Sequence, residues 1–183
     1  MNNNCVYFVE GDCEAKLINA LKQKPELILP GKVIVLNLVQ NYIPKSRLLA
    51  ITPDTKVVFV FDTDKEETKY LRKNIEYIEN FCKRSKLVYL PQVLNLEDEL
   101  VRCTDVSEPK EITKSKSNSN FKGDFCKLTD ARSTLTRHQL DVQALWTQNP
   151  PEPFTFVENN SKQIKSKPFS RSDVNRPTCF SMP

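Results

Sequence analysis

Short apolar runs alternate with amphipathic stretches over the first hundred residues, and this alternation predicts the elements one by one. "VYFV" (6–9) is a run of strand formers that stops at a carboxylate-rich turn. "EAKLINALK" then places Leu17, Ile18 and Leu21 on one helical face. "KVIVLNLV" (32–39) predicts a second strand, continuous enough to be buried on both faces. "SRLLAI" predicts a short helix, "TPDT" a turn, and "KVVFVFDTD" (56–64) the strongest strand. Next comes "KEETKYLRKNIEYIENFCKRS", a long amphipathic helix with Leu71, Ile75, Ile78 and Cys82 at helical spacing. "KLVYLPQV" (86–93) predicts a fourth strand, and a short helix follows from "LEDELVRC". The order β-α-β-α-β-α-β is that of an α/β fold: a mostly parallel four-stranded sheet with helices on both faces.

Beyond residue 103 the pattern changes. "SEPKEITKSKSNSNFKGD" (107–124) is polar and basic and predicts a loop or mobile segment. "LTDARSTLTRHQLDVQALWTQ" restores helical character over about 129–147, anchored by Leu135, Leu140 and Leu145. The end carries Pro150, Pro151, Pro153, Pro177 and Pro183 and reads as an extended tail. The chain therefore divides into an α/β domain over 1–103 and a basic extension over 104–183, with no internal repeat.

Composition narrows the class. The 183 residues are 39% hydrophobic, enough for a packed core, yet no run approaches the roughly 20 apolar residues that span a bilayer. "MNNNCVYFVEGD" lacks the basic and apolar regions of a signal peptide, so a cytoplasmic protein with no membrane partner is expected. Cys5, Cys13, Cys82, Cys103, Cys126 and Cys179 form no CxxC pair, and His138 is the one histidine, so zinc spacings are missing. The net charge of +4 is uneven: residues 1–103 carry 15 Lys and Arg against 14 Asp and Glu, and 104–183 carry 12 against 9. Lys114, Lys116, Lys122, Lys127, Arg132 and Arg137 form the local excess, which suits a phosphate backbone or simply a solvated face.

Parallel sheets collect their functional groups at the carboxyl ends of the strands. Glu10 follows the first predicted strand, Asp62 and Asp64 end the third, and Glu97, Asp98 and Glu99 follow the fourth. Each cluster alone is readily explained by helix capping. Three at one rim argue for a site, because converging carboxylates call for a cation, and hard oxygen ligands suit Mg²⁺ or Mn²⁺. Asp12 and Glu14, already inside the helix, read as cap and first-turn residues.

An apolar strand ending in Glu-Gly ("FVEGDCE", Glu10 and Gly11) and a later one ending in Asp-x-Asp ("VFVFDTD", Asp62 and Asp64) resemble the Toprim domain. The resemblance covers roughly residues 5–103. "VLNLEDEL" is similar to the further acidic motif of OLD (overcoming lysogenisation defect) and related defence-associated Toprim nucleases, which implies Glu97 as a metal ligand. "SNSNFKGDF" faintly resembles the lysine-bearing stretch of those enzymes, which makes Lys122 a candidate for contacting the scissile phosphate. The resemblance implies a nuclease in which Asp62, Asp64 and Glu97 hold one or two Mg²⁺ or Mn²⁺ ions. Glu10 is then a further ligand or the general base. It also implies DNA or RNA as substrate and a partner protein such as an ATPase, in a phage-defence or toxin system. Strand passage by a tyrosine nucleophile is not expected in a chain of this length.

Other classes compete. A non-catalytic Toprim module would bind nucleic acid or a partner protein without cutting. Haloacid-dehalogenase-type phosphatases also use Asp-x-Asp after a strand, but "DTDKEE" has Glu66 where they carry a threonine. Sugar-nucleotide transferases use Asp-x-Asp for a metal and leave Glu10 unexplained.

Overall fold

The computed structural model describes residues 5–24 and 26–165. Strands β1 (Cys5–Val9), β2 (Lys32–Val35), β3 (Lys56–Asp62) and β4 (Lys86–Gln92) form one all-parallel sheet in the order β2-β1-β3-β4. Helix α1 (Asp12–Leu21) connects β1 to β2, α2 (Lys45–Leu48) connects β2 to β3, and α3 (Lys69–Phe81) connects β3 to β4.

Alternation along the strands sorts their side chains into two cores. Tyr7, Val9, Val58, Val60, Val88 and Leu90 face one side, beneath Leu17, Ile18 and Leu21 of α1. Val6, Phe8, Val57, Phe59 and Phe61 face the other, beneath Leu71 and Ile78 of α3 and Leu48 of α2. The sheet is therefore covered on both faces, as its runs of β-formers require. β1 has β2 on one side and β3 on the other, so the winding reverses between β1 and β3. In such sheets the crevice at the carboxyl ends of the two strands at that reversal is the natural binding place.

The second strand departs from expectation. It stops at Val35 instead of 39, lies at the sheet edge, and buries only Ile34 fully. Leu38 and Val39 are buried all the same, but from a turn that packs over the α3 side. Gly31 leads into β2 so close to β1 that a Cβ there would collide with the Cys5 carbonyl.

Most of the C-terminal half is ordered differently from its sequence pattern. After α4 (Leu96–Arg102), the stretch expected to be a loop holds α5 (Pro109–Thr113) and most of α6 (Asn118–Lys127). Phe121 and Phe125, one turn apart on α6, are fully buried with ring centroids 5.3 Å apart. Two aromatic anchors hold a helix that is otherwise polar. The helix expected over 129–147 is only α7 (Ala131–Arg137), begun by the Asp130 carboxylate on the Ser133 N–H at 2.9 Å. Gln139, at φ 54°, turns the chain away soon after.

Nor is 149–165 a free tail. Phe154 and Val157 enter the α3-side core, and Ile164 enters the α1-side core. Asn160 exchanges hydrogen bonds with the Tyr89 backbone along the edge of β4. Residues on both sides of position 103 thus share their cores. The part of the proline-rich tail beyond 165 lies outside the described residues. Among the described residues no helix is long and apolar enough to cross a membrane.

Candidate active site

Glu10 leaves the end of β1, and Gly11 caps α1 with extended backbone. Glu14, three residues into the cap, turns its carboxylate back onto its own N–H and that of Gly11. This is the acidic half of a capping box. A Cβ at position 11 would stand 3.1 Å from Glu14 Oε2, so glycine leaves this carboxylate its room. The first-turn role expected for Glu14 is therefore real but incomplete. Its side chain is buried, and its charge is felt by Asp62.

Asp62 ends β3 and is 8% exposed, with no hydrogen-bond partner for Oδ1 among the described residues. Its backbone N–H donates to Glu10 Oε2 at 3.2 Å, while the Asn37 side chain donates to Glu10 Oε1. Burial, then the negative charges of Glu10, Glu14 and Asp64, push the Asp62 carboxyl up to about 9, and Lys122 opposes the rise. Burial also raises Glu10, which the Asp62 N–H tempers. Asp64 is exposed beyond the strand end and reaches both acids only through its field. Between them, Thr63 fixes the end of β3 against β4: its N–H donates to the Gln92 and Leu94 carbonyls at 3.1 and 3.0 Å.

Gln92 carried no weight in the sequence. It lies in register with Asp62, fully buried, and neither amide atom has a partner among the described residues. Only the pairing of β3 with β4 could have singled it out.

From the other side, α6 brings Lys122 to 3.1 Å from Glu97 Oε1 on α4, leaving Glu97 Oε2 buried and without a partner among the described residues. Desolvation lowers Lys122, but the Glu97 contact and the charges of Asp62 and Glu14 outweigh it, so its pKa is raised and it stays a cation. α6 is tied to α1 beside it: Cys13 Sγ lies 3.1 Å from Cys126 Sγ and donates to the Lys122 carbonyl at 3.4 Å. Of Glu97's neighbours, Asp98 is exposed, and its N–H is capped by Asn95. Glu99 turns away from the crevice to accept from Arg102 at 2.5 Å and from the Trp146 N–H.

Among the described residues no three His, Cys, Asp or Glu are arranged to hold a metal ion as they stand. The donor chemistry nevertheless suits a hard cation, since Asp62 Oδ1 and Glu97 Oε2 are, like Glu99 Oε2, buried carboxylate oxygens without partners among the described residues. Burying such oxygens unpaired is costly unless a proton or a cation arrives.

The six basic residues expected to bind nucleic acid are not gathered on one face. Lys122 belongs to the acid cluster. Arg132 and Arg137 line a groove of about 740 Å³ with Leu21 and Lys24, at the far end of α1. Ten helical residues separate the two ends by roughly 15 Å. Lys114 and Arg137 border a smaller hollow of about 350 Å³, and Lys116 and Lys127 are simply exposed.

Compared with known proteins, the chain matches no protein-family model, no curated protein and no solved structure. Fold and site together define a doubly wound α/β protein with a carboxylate cluster at its switch point.

Proposed function

We propose that the protein is a metal-dependent phosphodiesterase of the Toprim type that cuts DNA or RNA in the cytoplasm. The observation that carries this reading is Asp62: a buried carboxylate with an unpartnered oxygen, beside Glu10 and Glu14, faced by Lys122. Asp62 and Glu10, with Glu97 and Asp64 at the rim, are the residues that would hold Mg²⁺ or Mn²⁺. The bound ion would activate water and stabilise charge on the phosphate. Glu10, oriented by Asn37 and the Asp62 N–H and with its pKa raised, is suited to accept the proton of the attacking water. Lys122 stabilises charge on a non-bridging phosphate oxygen. Within a cell the protein acts as the effector of a phage-defence or toxin system, controlled by a partner such as an ATPase.

A second reading, a non-catalytic module that binds nucleic acid or protein, is favoured by one observation. The Lys122 ammonium already sits against Glu97, so a cation of the protein itself neutralises part of the cluster. Incubating the purified full chain with single- and double-stranded DNA and RNA in Mg²⁺, Mn²⁺ or EDTA separates the two. Metal-dependent cutting that disappears in Asp62→Asn supports the nuclease. Binding that survives this substitution, with no cutting in any metal, overturns it.

A further inference from the structure

Opposite Lys122, the crevice has a second wall built from the turn after β2 and the start of α3. Asn37, which holds Glu10, also accepts the Asn41 backbone N–H on its carbonyl at 2.9 Å and the Val39 N–H on its side chain at 3.0 Å. Asn74, 1% exposed on α3, then clamps the far end of this turn. Its amide donates to the Leu38 and Asn41 carbonyls at 3.0 and 2.8 Å, and its oxygen accepts the Ile43 N–H at 2.9 Å. Tyr42 lies between the clamped Asn41 and Ile43, and Tyr70 one turn before Asn74. Their rings meet at 4.6 Å, and Tyr42 remains 53% exposed. A rigid aromatic pair is thus held at the rim, joined to Glu10 through Asn37. Exposed charges of both signs lie beside it in the chain: Lys45 and Arg47 after Tyr42, and Lys65 and Lys69 before Tyr70 with Glu66 and Glu67 between them, the Glu67 carboxylate accepting the Lys69 N–H at 2.7 Å.

We propose that Tyr42 and Tyr70 are a stacking platform for the bases of a single-stranded nucleic acid whose backbone passes the acid cluster. Unpaired bases offer their faces to aromatic rings, whereas the bases of a duplex are already stacked on one another. Exposed aromatic faces with lysines within reach of the backbone track single strands without reading sequence, and here Lys45, Lys65 and Lys69 are the cations available. The substrate class is accordingly single-stranded DNA or RNA, or the frayed end of a duplex. This inference rests on the phosphodiesterase reading for its biological meaning, but its test does not need cleavage.

The test measures binding of fluorescein-labelled oligonucleotides of about 12 nucleotides, a length in the range of single-strand binding sites, in EDTA. The full-length Asp62→Asn protein serves as the non-cutting background, with single strands and the matching duplex as probes. Single strands are expected to bind more tightly than duplex. Tyr42→Ala and Tyr70→Ala are each expected to weaken single-strand binding about tenfold with unchanged melting temperature, and Tyr42→Trp to preserve it. Single-strand binding unaltered in both alanine variants, equal losses for single strand and duplex, or tighter binding of duplex would overturn the platform. Stacking without cleavage by the wild type in any metal removes the nuclease reading and keeps the platform. Metal-dependent cleavage insensitive to both substitutions does the reverse.

Discussion

Asp62 and Glu99 are both buried carboxylates, and the protein treats them in opposite ways. Glu99, on α4, is met by Arg102 and by the Trp146 N–H, so its charge is spent on joining α4 to the turn at Trp146. Each keeps one buried oxygen without a partner among the described residues, but Asp62, at the end of β3, has three further acids acting on it. Neither burial nor an unpartnered oxygen separates a structural acid from a functional one; a cation and an N–H beside the first, and further acids beside the second, do. A carboxylate that the fold surrounds with acids is stable only with a proton or a cation, and that need is the chemical basis of the proposed site.

The largest effect expected from breaking this contrast is on cleavage. Asp62→Asn keeps the shape but removes the charge, and cleavage in Mn²⁺ should fall by about 10³-fold or more, read from the initial rate of oligonucleotide cutting. Glu99→Ala should do the opposite. It leaves the Trp146 N–H without its acceptor and Arg102 with the Ala144 carbonyl but no carboxylate, for a loss of about 3 kcal/mol, or about 9 °C in melting temperature, while cleavage per folded molecule is kept.

A smaller effect follows from pH. The Asp62 carboxyl moves from 3.8 to about 9 on folding, so between these values the folded, metal-free chain holds a proton that the unfolded chain has lost. Stability of the metal-free protein should therefore fall as pH rises from about 4 towards 9. At pH 8 in EDTA, Asp62→Asn should melt higher than the wild type, by about 6 °C for an effect on the order of 2 kcal/mol. Calorimetry at pH 5 and pH 8 checks the sign: the gap between variant and wild type should shrink at the lower pH.

The strands and their acids are legible in the sequence, but the contrast between Asp62 and Glu99 is not, since Glu99 reads there as one of three equivalent acids after the fourth strand. β1, β3 and β4 announce themselves as dense apolar runs, and the acids behind them fall where a parallel sheet collects its chemistry. β2 was overextended because Leu38 and Val39 are apolar for a different reason: they pack from a turn. α6 went unseen because only Phe121 and Phe125 anchor it, yet it delivers Lys122 to Glu97. Glu14 was underrated because a capping role explained it locally, whereas its nearness to Asp62 exists only once β1 and β3 pair. Gln92 was invisible for the same reason. Asp64 shows the converse, since a symmetrical Asp-x-Asp motif yields one buried acid and one exposed one.

Glu14→Gln offers a finer test of the same contrast. The amide oxygen can still accept the N–H groups of Gly11 and Glu14, so the cap persists while one negative charge beside Asp62 is lost. Mn²⁺ affinity should weaken by about tenfold, an effect on the order of 1.4 kcal/mol, with little change in melting temperature. Isothermal titration reads both this and the wild-type value.

Direct Mn²⁺ binding, followed by the loss of the free-ion electron paramagnetic resonance signal, addresses the central claim without any substrate. The wild type and Glu99→Gln should bind Mn²⁺, and Asp62→Asn, folded by circular dichroism, should not. Equal binding by the wild type and Asp62→Asn, or none by the wild type, would contradict that claim.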